Sequence, residues 1–138
     1  MKILVTGVNG LIGSALASEL TVQGHEVVGV SRVPATPAIG WKDVTPSLMN
    51  KVDAVVNLAG ETISGRWTDT KKRLITKSRL DATETVTEAI SQAEHPPTVL
   101  IQASASGYYG SRGDEALVES SSSGSDFLAE LCRKWETA

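Results

Sequence analysis

The chain has 138 residues, 41% hydrophobic and 21% charged, a balance that suits one soluble domain with a buried core. Its net charge of −3 gives no reason to expect nucleic acid or an anionic membrane as partner. One cysteine, Cys132, excludes an internal disulfide, and with His25 and His95 far apart in sequence no metal site is expected.

The first strand is expected at residues 2–5, an apolar run that meets Gly7-x-x-Gly10-x-x-Gly13 and then an amphipathic helix over residues 11–23. A strand, a glycine turn and a helix in that order form a cradle for nucleotide phosphates. Gly7 permits the turn, Gly10 lets the backbone approach a pyrophosphate, and Gly13 lets the helix pack on the strand. The first N–H groups of the helix, at Leu11, Ile12 and Gly13, lack partners within it and point at the anion. Because Met1 leads directly into this unit, no secretory signal is expected. No apolar run reaches membrane-span length either, so a cytoplasmic location is expected.

Gly24 marks the helix end, and a second strand covers residues 26–30. A connection containing Pro34 and Pro37 leads to a short third strand at residues 39–41. Pro46 opens a short helix ending near Asn50. A fourth strand, residues 54–58, is nearly all apolar, as a strand buried on both faces should be. A long helix spans residues 69–93, with Leu74, Ile75, Leu80, Val86 and Ile90 as its apolar stripe, and Pro96 and Pro97 stop it. Residues 98–103 form a fifth strand, residues 104–125 a Gly/Ser-rich loop, and residues 126–136 a last helix. The alternation predicts an α/β class: a Rossmann-like doubly wound parallel sheet with about five strands seen. Such a sheet usually has about six strands. Either the chain is the front portion of a longer protein, lacking its C-terminal strands and substrate region, or a partner chain such as a second copy covers the sheet edge.

The second strand ends Val30-Ser31-Arg32, without the acidic residue that holds the adenosine ribose of NAD. Arg32 can pair with a 2′-phosphate and Ser31 can donate to it, which favours NADP. Asp43-Val44 is either an adenine-edge contact or a helix-start signal. Asn57-Leu58-Ala59-Gly60 ends the fourth strand, where small residues let the backbone approach a ligand in the crevice. Trp41, Trp67 and Trp135 either stack on a ligand or pack in the core.

Taken together, Val5-Thr6-Gly7 through Gly13, Val30-Ser31-Arg32, Asn57-Leu58-Ala59-Gly60-Glu61, Arg66-Trp67 and Ser78-Arg79 carry a resemblance. So do residues 104–110, residues 126–130 and Trp135-Glu136. The chain resembles the short-chain dehydrogenase/reductase superfamily, extended or atypical branch of NAD(P)-dependent epimerases and dehydratases, and within it the epimerase-like proteins of family 39U. Members of that family are about twice as long, so the likeness is to their front half, a single NADP-binding domain over residues 1–138. The resemblance implies NADP binding through Ser31 and Arg32, the backbone at Leu58, Ala59 and Gly60, and Arg79 on the long helix.

The Tyr-x-x-x-Lys pair that carries hydride chemistry in this superfamily is absent. Tyr108 is followed four residues on by Arg112 and Tyr109 by Gly113, and the last helix offers Phe127, which cannot exchange a proton. The usual catalytic hydroxyl position falls on Ala105, between Ser104 and Ser106. Those two serines are the catalytic candidates, or else they only hydrogen-bond loop backbone. Two functions follow. One is an NADP-dependent epimerase or oxidoreductase exchanging hydride with a carbonyl or hydroxyl substrate, such as a nucleotide sugar. The other is a noncatalytic NADP-binding or regulatory module.

Overall fold

A computed structural model describes residues 1–34 and 37–138. It divides into two compact units, residues 1–103 and 104–138.

The first unit is a four-stranded parallel sheet in the order β2-β1-β3-β4, formed by β1 (Lys2–Thr6), β2 (Glu26–Val30), β3 (Ala54–Asn57) and β4 (Val99–Gln102). The expected strand at residues 39–41 is not a strand. Ile39 makes a single parallel bridge to Val30. Trp41 instead begins a one-turn 3₁₀ helix, Trp41–Asp43, in which the Asp43 carboxylate accepts from the Gly40 N–H at 3.1 Å. That local bond turns the chain away from the sheet edge, and it makes Asp43 the helix-start signal.

Alternation along the central strands explains the layers. Ile3, Val5, Ala54 and Val56 face α1 (Leu11–Val22), packing with its Leu16 and Leu20. Leu4, Val30 and Val55 face the other way, onto Met49 of α2 (Pro46–Met49) and Val86 and Ala89 of α3 (Asp69–Ser91). With both faces covered, the inner runs of β1 and β3, Ile3 to Val5 and Ala54 to Val56, are apolar at every position.

Thr68 caps α3 by accepting from the Lys71 N–H, and Asp69 sits in its first turn, where negative charge suits the helix dipole. The buried stripe of α3 is Ile75, Ala82, Thr83, Val86 and Ala89. Leu74, expected in that stripe, is 52% exposed. Small alanines share the inner face with Ile75 and Val86 and let the helix approach the sheet closely, so size alone does not mark that face. β4 lies at the sheet edge with Val99, Leu100 and Ile101 all exposed.

The second unit pairs a one-turn 3₁₀ helix, Ser106–Tyr109, with α4 (Phe127–Thr137). Asp126 caps α4 through the Ala129 N–H at 2.9 Å. Arg133 ties the helix back to the preceding loop through Ser123 Oγ and the Gly124 carbonyl. Cys132 is buried beside the Ala105 carbonyl, as a small apolar side chain would be.

Candidate cofactor-binding site

Three strand ends in the first unit converge on a groove of about 550 Å³. Its floor is the glycine turn. Gly7 has φ +67°, a left-handed conformation that glycine adopts without strain. A Cβ on Gly13 would lie 2.2 Å from the Gly7 carbonyl oxygen, so only glycine lets α1 start this close to the turn. Gly10 is the N-cap of α1 and supplies no side-chain cap, and the first turn carries no acidic residue. The amino end of α1 is therefore left open to an anion. Leu11 and Ile12 on this turn are 91% and 67% exposed, whereas Gly13 is buried.

One wall is built by Thr6, which lies in the glycine segment Val5-Thr6-Gly7 but has no role assigned from sequence. Its hydroxyl accepts from the Leu58 and Ala59 N–H groups at 3.1 and 3.2 Å and donates to Asn57 Oδ1. Asn57 in turn donates to Gln102 at 2.8 Å. This buried chain ties the ends of β1, β3 and β4 together and fixes Leu58, Ala59 and Gly60 along the groove. The opposite wall is the end of β2. Asn9 donates to Ser31 Oγ at 2.9 Å, which links the glycine turn to that strand. Trp41 lines the groove while also packing on the core.

Arg32 extends from β2 with its side chain 73% exposed and donates to Glu61 Oε2 at 2.9 Å. Lys71 of α3 donates to the other oxygen at 2.8 Å. The Lys71 bond, then the Arg32 bond, holds the Glu61 carboxyl below its ordinary value of 4.5. A lowered carboxylate pKa contributes stability that is complete above 4.5 and vanishes as pH falls through the folded-state value. In urea titrations across that range, the stability advantage of the native chain over Glu61→Gln should shrink steadily on acidification. An advantage independent of pH would contradict it.

Arg79 lies behind the groove wall. Its guanidinium packs on Gly60, where a Cβ would come within 3.0 Å of Cζ, and donates to the Glu61 and Ile75 carbonyls at 3.0 and 3.1 Å. It thus shapes the segment that lines the groove. Gly7, Gly10, Ser31, Arg32, Leu58, Ala59 and Gly60 are brought together at the groove itself. Ser104 and Ser106 belong to the second unit. Ser104 Oγ donates to a Glu136 carboxylate oxygen, and Ser106 opens the 3₁₀ turn. In the same turn Tyr108 and Tyr109 meet edge to face at 5.2 Å.

Asn9, Glu61 and Lys71 also escaped assignment from sequence. Their partners are 10 to 29 positions away, and no local spacing announces such pairs. Among the described residues no cluster of His, Cys, Asp and Glu could hold a metal, and no helix is long and apolar enough to cross a membrane.

This arrangement of turn, crevice and strand ends has known counterparts. Residues 3–127 match the model of the NAD dependent epimerase/dehydratase family. The chain belongs to that family. It is 39% identical over 142 residues to the epimerase family protein SDR39U1 of Bos taurus, covering 100% of this chain and 48% of the relative. It superimposes on the crystal structure of human SDR39U1 (isoform 2) with NADPH at a TM-score of 0.92 and 37% identity, covering 99% of this chain and 48% of that one. A nucleoside-diphosphate sugar epimerase from Corynebacterium glutamicum matches at a TM-score of 0.80 and 38% identity, with 99% and 29% covered. The chain spans about half the length of the curated family members it matches.

Proposed function

We propose that the groove binds NADP, and that the chain is the cofactor-binding part of an epimerase-like oxidoreductase. The observation that carries this is the pairing of an uncapped helix amino end at Gly10 with Arg32 beyond the end of β2, both lining one groove. A pyrophosphate needs the first and a 2′-phosphate the second. The glycine positions fit the group, because side chains at Gly7 or Gly13 would meet backbone and close the cradle. The NADPH held by human SDR39U1 supports the same reading.

When bound, NADP supplies a hydride donor or acceptor to a carbonyl or hydroxyl substrate. The Corynebacterium relative favours a nucleotide sugar as substrate. The residues here would bind and orient: the amino end of α1 would hold the diphosphate, Ser31 and Arg32 the 2′-phosphorylated ribose, and Leu58 to Gly60 would line the groove beside the cofactor. The exposed apolar residues of β4 support coverage of that edge by further polypeptide or a second copy.

A specific observation favours a second reading, a noncatalytic NADP-binding or regulatory module. The chain has no Tyr-x-x-x-Lys pair, and Phe127 stands at the start of α4. Ser104 and Ser106 are then the candidates for proton transfer in an enzyme. Calorimetric titration should give tighter binding of NADPH than of NADH, and equal or tighter NADH binding contradicts the NADP assignment. Given that preference, turnover with nucleotide sugars, ketones or alcohols supports the enzyme. Binding without turnover across such a panel supports the module.

A further inference from the structure

Cofactor binding leaves Glu61, a charged group of the groove, without a role. It is held from two sides, by Arg32 at 2.9 Å and Lys71 at 2.8 Å. Its backbone is fixed as well. The N–H donates to Ser78 Oγ at 2.8 Å, and the carbonyl accepts from Arg79. The carboxylate therefore occupies a set position in the groove wall.

The two halves of this array differ in solvent access. The Glu61 and Lys71 side chains are 21% and 20% exposed, Arg32 73%. Glu61 and Lys71 form the anchored half, and Arg32 is the loose end. Arg32 is also the cation on which an NADP reading depends. A phosphate dianion brought to its guanidinium meets a carboxylate already in contact with Nη1. Like charges at that spacing repel, so the phosphate must displace the carboxylate or bind against it. A nucleotide without the 2′-phosphate leaves the Arg32–Glu61 pair intact.

We propose that Glu61 is a specificity-determining residue, competing with the 2′-phosphate of the cofactor for Arg32, while Lys71 limits that competition by drawing on the same carboxylate. The inference rests on the NADP reading of the groove. Glu61 lowers the preference for NADP below what Arg32 alone would give, and Lys71 restores part of it. The carboxyl, held below its ordinary range by both cations, is ionised at neutral pH and so always competes.

The test is calorimetry with NADPH, NADH, 2′,5′-ADP and ADP on the native chain, Glu61→Gln, Lys71→Met and Arg32→Ala. Exposed ion pairs are weak, so Glu61→Gln should tighten NADPH and 2′,5′-ADP by about two- to fivefold, with NADH and ADP unchanged. Lys71→Met should move the NADPH to NADH ratio the opposite way, because Glu61 then has Arg32 alone. An unchanged or lowered ratio in a Glu61→Gln variant that melts like the native chain overturns the proposal, as does an equal gain for both cofactors. Should Glu61→Gln fail to fold, Lys71→Met decides, and an unchanged ratio there overturns it. If the native chain does not prefer NADPH, or Arg32→Ala keeps that preference, the NADP reading falls and takes this inference with it. If both of those hold and the Glu61→Gln ratio does not rise, this inference alone fails.

Discussion

Gly13→Ala is expected to weaken NADPH binding by more than about a hundredfold and to destabilise the fold by about 1–3 kcal/mol, the usual cost of forcing extra atoms into a packed site. The added Cβ would sit 2.2 Å from the Gly7 carbonyl oxygen and 2.9 Å from its carbon. Those neighbours are backbone and cannot rotate away. Either α1 shifts along its axis or the turn opens, and both move the helix amino end from the strand ends it faces. Gly24→Ala is the matched control. Gly24 has φ +82° with nothing within 4 Å, so alanine there meets strain without a clash. It should cost about 1–2 kcal/mol, the penalty of a left-handed residue, and leave NADPH affinity unaltered. Urea unfolding and calorimetry on the two variants separate a general loss of stability from damage to the cradle. Equal NADPH affinity in both would mean that the turn does not seat the diphosphate.

Arg32→Ala should lower NADPH affinity by about 10- to 100-fold, the range for losing hydrogen bonds to a charged group, and change NADH affinity by less than about twofold. The Arg32 side chain is 73% exposed, so the discrimination should weaken as salt is raised. Arg32→Lys should fall between, keeping the charge but losing the planar fork that matches a phosphate. A parallel loss for both cofactors would assign Arg32 to holding Glu61 in place, with no contact to the ligand.

The glycine turn was legible because everything it needs is local: a strand, three glycines and a helix within the first 22 residues. The same holds for β3, whose nearly continuous apolar run, Ala54 to Val56, reflects burial on both faces. Legibility ended where a local bond competed with the sheet. Ile39-Gly40-Trp41 reads as a strand, yet the Asp43 carboxylate captures the Gly40 N–H and leaves one bridge. It ended again where size misled, since Leu74 points outward while Ala82 and Ala89 form the contact. In the site, backbone-defined positions such as Gly10 and Ala59 were visible in their motifs. The side-chain connections that hold the groove, Thr6 to Ala59, Asn9 to Ser31 and Arg32 to Glu61 to Lys71, join distant segments and needed the fold to be seen. Arg79 was named through the family resemblance, and its engagement by the Glu61 and Ile75 carbonyls needed the fold to be seen.

A crystal structure of the chain grown with saturating NADPH tests the cofactor site most directly. The diphosphate should lie against the backbone N–H groups that open α1, and the 2′-phosphate should lie within hydrogen-bond distance of the Arg32 guanidinium. An empty groove at saturation, or a nucleotide bound away from Gly10 and Arg32, would contradict NADP binding here.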